Sequence, residues 1–218
     1  MCGRYKLSTP GDELWETFDI HGEQLPLVPR FNIAPTQPIA VIREPHHLEL
    51  LRWGLTLPNP RAGGFNVRVE SLNAPFYRDS IHGRRCLILA DGFYEWKLIG
   101  DPEAKKPLKQ PYLIRRPDGK PFAFAGIWDN AQMKNGETAP ACAILTTTPR
   151  GVAGQVHDRM PVILPEAMRA AWLEPKARYR DMLEPDATLE LVPVSTLVNS
   201  VKNEDPNCAV AVPGPNSA

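Results

Sequence analysis

Apolar and polar positions alternate over short runs along this chain, and few runs are long enough for a full helix. Ile39 to Arg43 and Leu48 to Trp53 read as strands joined by a polar turn. Cys86 to Ala90 is continuously apolar and only five residues long, as in a strand buried on both faces; Phe93 to Ile99 follows after an Asp91-Gly92 turn. Tyr112 to Arg116 and Phe122 to Ile127 flank Pro117-Asp118-Gly119-Lys120, which predicts a hairpin. Ala141 to Thr147 is a further strand, and Leu189 to Val194 a closing one. Helices are short and few. Thr9-Pro10-Gly11-Asp12 reads as a helix start, with Thr9 as N-cap and Pro10 at the first helical position. The helix it opens sets Leu14 and Phe18 on one face with Trp15 beside them. Pro165 to Leu173 is a second helix, and Tyr179 to Leu183 is a candidate third. The pattern predicts an α+β fold: a curled, mainly antiparallel sheet with peripheral short helices.

Composition narrows the class. At 218 residues and 43% hydrophobic, the chain can bury one sizeable core. The 24 prolines and 15 glycines are scattered rather than gathered in a linker, so a single domain over residues 1–211 is expected, with a frayed tail over 212–218. No apolar stretch approaches the roughly 20 residues needed to span a bilayer, and Met1-Cys2-Gly3-Arg4-Tyr5 lacks the apolar core of a secretory signal. A cytoplasmic protein is expected, associated with the nucleoid if bacterial. Cys2, Cys86, Cys142 and Cys208 include no C-x-x-C pair, which argues against structural disulfides in a reducing compartment and against a thiolate zinc site. Lys plus Arg and Asp plus Glu both number 25, so any nucleic-acid affinity has to come from a local patch. One candidate lies between Arg52 and Arg85: Arg52, Arg61, Arg68, Arg78, Arg84 and Arg85, against only Glu70 and Asp79.

The candidate chemistry begins at Cys2. A small residue at position 2 permits removal of the initiator Met, which leaves an α-amine and a thiol on adjacent carbons. Their reference pKa values, about 7.7–8.0 and about 8.5, leave both partly nucleophilic near neutral pH. An aldehyde would form a Schiff base with the amine, and the thiol would close a thiazolidine ring. On position alone an ordinary terminal residue, carrying little of the core, is the simpler account. Asn66, Arg68 and Glu70 alternate with apolar residues and would share one strand face, either as a solvated edge or as a row that orients a substrate oxygen and holds a phosphate. Glu95 sits between Tyr94 and Trp96. It either faces solvent or faces a pocket where desolvation would suit it to proton transfer. His157 is the one histidine in a dense polar cluster, with Asp158 and Arg159; His21, His46, His47 and His82 fall in turn or helix-end contexts.

Eight segments, in order, resemble the SOS response-associated peptidase (SRAP) family: Met1-Cys2-Gly3-Arg4-Tyr5, Arg30-Phe31-Asn32-Ile33-Ala34-Pro35, Arg52-Trp53-Gly54, Asn66-Val67-Arg68-Val69-Glu70, His82-Gly83-Arg84, Ala90-Asp91-Gly92-Phe93-Tyr94-Glu95-Trp96-Lys97, His157-Asp158-Arg159-Met160-Pro161 and Val201-Lys202-Asn203. The resemblance implies a barrel-like β core and covalent capture of abasic sites in single-stranded DNA by Cys2, which would shield the lesion in the DNA damage response. It implies an active-site Asn66, Glu95 and His157 and phosphate-binding Arg4, Arg68 and Arg84. It implies no metal, no organic cofactor, no membrane and a monomer. Where relatives carry an aromatic loop after Trp53-Gly54, this chain has Leu55-Thr56-Leu57-Pro58-Asn59-Pro60, with no ring for base stacking. In the expected mechanism Glu95 moves protons, His157 donates to the sugar oxygen or phosphate, and Asn66 positions the opened sugar. Two other classes are an N-terminal-nucleophile hydrolase, self-processing included, and a non-covalent DNA-binding module.

Overall fold

The computed structural model describes residues 2–22, 25–56, 64–101, 103, 107–133, 136–186 and 188–214. Among these, thirteen strands and three short α-helices follow in chain order: β1 (Tyr5–Leu7), α1 (Gly11–Thr17), β2 (Arg30–Ile33), β3 (Pro38–Glu44), β4 (His47–Trp53), β5 (Asn66–Arg68), α2 (Pro75–Gly83), β6 (Arg85–Ala90), β7 (Gly92–Ile99), β8 (Leu108–Arg115), β9 (Phe122–Gln132), β10 (Thr138–Thr147), β11 (Met160–Pro161), β12 (Ile163–Leu164), α3 (Arg169–Leu173) and β13 (Glu190–Pro193). No helix among the described residues is long and apolar enough to cross a membrane.

The predicted α+β barrel-like core is present. Strands β10, β4, β3, β6 and β9 pair in that order, and β9 pairs back to β10, which closes a five-stranded barrel. All of these pairings are antiparallel except β10 with β4. Closure leaves no free edge within the barrel. β6 and the first half of β9 are buried at every position, because one face lines the barrel interior and neighbouring elements, α2 and α3 among them, pack against these strands from outside. The barrel is narrow, and at Gly126 an added Cβ would stand 2.8 Å from Cys86 Sγ and from Ile88 Cδ1. A second sheet, ordered β13-β8-β7-β1-β2, packs against the barrel. Edge-to-face rings tie the two together: Tyr5 with Trp53 at 5.2 Å, Tyr5 with Phe124 at 5.8 Å and Phe93 with Phe124 at 6.1 Å. Each such pair contributes about 0.5–1.5 kcal/mol beyond its buried area.

The β3–β4 hairpin forms as expected, in register from Pro38 opposite Arg52 to Ile42 opposite Leu48, with a register shift before Glu44 pairs with His47. The other predicted hairpin does not form. The turn at Pro117–Lys120 exists, with Gly119 at φ 71 and its N–H on Arg116 O, but β8 pairs with β7 and β13 while β9 pairs with β6, β10 and β12. Turn residues reverse the chain; which partner a strand finds depends on the faces it must bury. The Asp91-Gly92 step likewise carries the chain from one sheet to the other. Asp91 anchors that step by accepting from Lys6 Nζ, the backbone and hydroxyl of Ser8, and the backbone and hydroxyl of Thr9. Thr9 is therefore not an N-cap: its hydroxyl serves Asp91, and Pro10 occupies the cap position of α1 with no side-chain bond. Strands β1 and β2 and helix α2 were not expected from the pattern, whereas β5 forms over Asn66–Arg68, within the predicted strand row. Near the end of the chain, Val212 N–H donates to Pro193 O, and residues 215–218 of the predicted tail lie outside the described residues.

Candidate functional site

The site forms where the start of the chain meets the C-terminal end of β10. β1 pairs with β7, Tyr5 opposite Phe93, and Tyr94 N–H continues the ladder to Arg4 O. That register lays the chain start alongside Glu95. On the barrel, Thr146 of β10 pairs with Arg68 of β5 and with Pro161 of β11. One strand end thereby gathers Asn66 on β5 and the segment that leads into β11, which carries His157.

Cys2 is wholly buried and belongs to the core cluster, so it is no loose terminal residue, contrary to the sequence expectation. Its Sγ donates to Arg4 O at 3.6 Å, and Asn66 Nδ2 donates to its carbonyl at 2.6 Å. Burial pushes the Cys2 thiol far up, the Glu95 carboxylate pushes it further, and the backbone contact with Arg4 only partly opposes this. The reference value used for the thiol therefore does not hold in the folded chain. A thiolate here requires a base at hand.

Glu95 can supply that base. It faces inward at 3% exposure, which decides between the two orientations its aromatic neighbours allowed. Burial raises its carboxyl to about 7. His157 Nε2 stands 4.0 Å from Glu95 Oε2. Two groups approach His157 Nδ1: the backbone N–H of Arg159 at 3.0 Å and the Asp158 carboxylate at 2.8 Å. The backbone donor is fixed by the chain, whereas Asp158 is exposed and free to turn. Nδ1 is therefore the acceptor, and the ring proton sits on Nε2, on the Glu95 side. Burial lowers the His157 pKa, so a neutral donor ring is favoured.

The cluster has supports that the sequence reading did not single out. Arg159 clamps Glu70 through two parallel bonds of 2.7 and 2.9 Å and donates to Thr146 O at 2.5 Å, tying the His157 segment to β5 and β10. Glu70 lies in the 3-10 turn Val69–Ser71 after β5 ends at Arg68, so it does not continue the Asn66–Arg68 strand row. The fully buried Asn32 accepts from Arg4 Nη1 and donates to the carbonyls of Val198, Ser200 and Asn203, which holds the C-terminal segment under the site. Single side chains with no pattern around them gave no sequence signal for these roles. The buried Asn66 Oδ1 has no hydrogen-bond partner among the described residues, so an acceptor remains for a ligand beside Cys2.

The sequence matches the family model described as SOS response associated peptidase (SRAP) over residues 1–201. The chain belongs to the SRAP family. It is 38% identical over 224 residues to the abasic site processing protein YoqW of Bacillus subtilis, covering 94% of this chain and 97% of that one. It is 30% identical to the abasic site processing protein YedK of Escherichia coli, covering 94% and 96%. A solved structure from Bordetella bronchiseptica, a phage-related protein, superposes with a TM-score of 0.69 at 29% identity, over 88% of this chain and 94% of that one. One from Bacteroides thetaiotaomicron shares the fold with a TM-score of 0.80 at 20% identity, over 97% and 100%.

Among the described residues, the arginines of this SRAP chain are engaged in different ways. Arg85 is buried in the core, its guanidinium donating to the carbonyls of Trp172, Ile81, Glu174 and Ala177, because its strand position points inward beneath α3. Arg52 donates to Gly54 O. Arg84 is ion-paired with Asp129 at 2.9 Å, with no bond to the Cys2 cluster. Arg4 is half-buried, bound to Asn32 and Val198 O and lying 5.8 Å over the Trp96 ring. Arg68 is exposed and has no hydrogen bond or ion pair among the described residues. Arg61 and residues 57–60 of the loop after Trp53-Gly54 lie outside the described residues.

Proposed function

We propose that this protein handles abasic sites in single-stranded DNA by bonding the opened sugar covalently to Cys2 after removal of Met1. The observation that carries the reading is the convergence on Cys2 of a buried carboxyl titrating at about 7, a neutral imidazole and an amide with a spare acceptor. The names of the bacterial relatives supply the lesion class.

The chemistry balances without an external reagent. The α-amine adds to the sugar aldehyde, and the carbinolamine loses water to give an imine. The thiol then adds across the imine, its proton passing to nitrogen, and closes the thiazolidine. Glu95 accepts a proton from the ammonium or thiol and returns it to the departing hydroxyl. The His157 Nε2–H donates to the sugar oxygen, and Asn66 Oδ1 accepts from the opened sugar. Arg68 offers its unengaged guanidinium to a phosphate, and Arg4 and Arg84 can add theirs by giving up part of their present bonds. All of these groups come from one chain, consistent with action as a monomer. The carrying group is the Cys2 side chain.

The test is incubation of the purified protein with abasic single-stranded DNA, followed by denaturing electrophoresis and intact-mass measurement. The wild type, lacking Met1, forms an adduct that survives denaturation. Cys2→Ala forms none, at a stability loss of about 1 kcal/mol for an altered core residue. Cys2→Ser keeps the amine and gives only an imine trapped by borohydride. A stable adduct from Cys2→Ala would overturn the mechanism; turnover of an amide substrate in its place would favour the self-processing hydrolase.

A further inference from the structure

Away from that cluster, three side chains converge that the function leaves unused. Asp19 follows α1, His21 lies two residues on, and His46 occupies the β3–β4 turn. His21 Nε2 lies 2.9 Å from Asp19 Oδ1, and His46 Nδ1 lies 2.8 Å from the Asp19 backbone oxygen and 3.0 Å from Asp19 Oδ2. One ligand-type atom from each residue falls within 4.8 Å of the others. The two imidazoles stack with centroids 4.5 Å apart and planes 4° apart, and His21 N–H donates to His46 O at 2.9 Å. The backbone thus holds the two residues side by side, and rotation of the rings out of the parallel stack is what would turn both nitrogens toward one ion.

We propose that Asp19, His21 and His46 form a binding site for one divalent transition-metal ion of the zinc class. The donor set, two imidazoles and one carboxylate, is one that zinc takes, with water completing four-coordination. In tetrahedral zinc, ligand atoms about 2.0–2.1 Å from the metal stand about 3.3–3.4 Å from one another. The two spacings here fall short of that by a few tenths of an ångström, well within the freedom of side chains exposed to 71%, 65% and 48%. A neutral ring that directs its N–H at Asp19 would carry that proton on its other nitrogen instead, so that the nitrogen facing Asp19 offers its lone pair to the ion.

A second, independent observation is the backbone at His46. It is the second residue of a two-residue turn after Pro45 and sits at φ 67, where Gly or Asn is the ordinary choice. A β-carbon there is strained, and strain of this kind persists where the side chain serves a purpose. The imidazole that the strain holds in place is the one directed at Asp19. Glu166 and Arg169 share the adjoining cleft with Asp19 and His46. Arg169 is turned away from the three ligands onto Thr17 O at 3.3 Å and over the Phe18 ring at 4.5 Å. Bound there, the ion would join the end of α1 to the β3–β4 hairpin and stabilise the fold.

The experiment is a calorimetric titration of the chelator-treated full chain with zinc alone, paired with thermal unfolding with and without zinc. The wild type takes up one equivalent with a raised thermal midpoint. His21→Ala and His46→Gly each weaken binding at least tenfold and lose the thermal response. His46→Gly suits the left-handed turn, so without zinc it melts no lower than the wild type, which separates ligand loss from misfolding. His157→Ala leaves zinc binding unchanged. Absence of saturable one-to-one binding overturns the proposal, as does wild-type affinity in both His21 and His46 variants, or loss of binding in His157→Ala instead.

Discussion

Replacing Glu95 by Gln keeps the size and polarity of the side chain and removes only its titration. The inward-facing carboxyl is raised from 4.5 to about 7, chiefly by burial. The folded protein therefore binds this proton more tightly than the unfolded chain does. The associated stability is fully present below pH 4.5 and is lost as pH rises through about 7. The difference corresponds to roughly 3 kcal/mol carried as a cost by the wild type at pH 8. The Glu95→Gln variant, neutral throughout, escapes that cost. At pH 8 it melts roughly 6–12 °C above the wild type, and near pH 4.5 the two coincide. The same change removes the proton carrier beside Cys2, so adduct formation slows by about 10²–10³ and its rate loses the inflection near pH 7. Thermal melts at several pH values and single-turnover cross-linking on abasic single-stranded DNA measure the two effects on the same preparations. A variant less stable than the wild type at pH 8, or one that cross-links at the wild-type rate with an unchanged pH profile, would refute the assignment of Glu95 as a buried, functionally retained acid.

Two further outcomes follow from particular contacts. Arg68→Ala flattens the slope of log affinity against log salt for single-stranded DNA by about 0.7, one phosphate contact, while Arg84→Ala gives a smaller change because its guanidinium already holds Asp129; equal effects in the two variants would contradict the pairing. Gly64→Ala lowers stability by about 2–4 kcal/mol in denaturant titration and slows cross-linking, since Gly64 sits at φ +56, an added Cβ would meet Leu55 O at 2.2 Å, and the displaced backbone leads into Asn66.

The sequence alone determined the class of fold, because short apolar runs separated by turn residues can bury their faces only in a curled sheet. It also offered the residue types on which the proposed chemistry rests, an amine and a thiol on adjacent carbons. Burial at every position of Cys86–Ala90 follows directly from that continuous run. Partners and protonation were decided by the tertiary structure. The Pro117–Lys120 turn was legible, yet its flanking strands went to different sheets, since pairing is set by long-range closure of the barrel rather than by the turn between them. Arg84 and Arg85 are adjacent and alike in sequence; Arg85, the first residue of β6, lies in the core, whereas Arg84, which caps the end of α2, stays nearer the surface with Asp129. Thr9 was drawn from its expected cap by Asp91, a residue 82 positions away. The Cys2 thiol was pushed up and the Glu95 carboxyl raised toward neutrality for one reason, removal from water in the fold, and that desolvation is a property of the surroundings no local pattern contains.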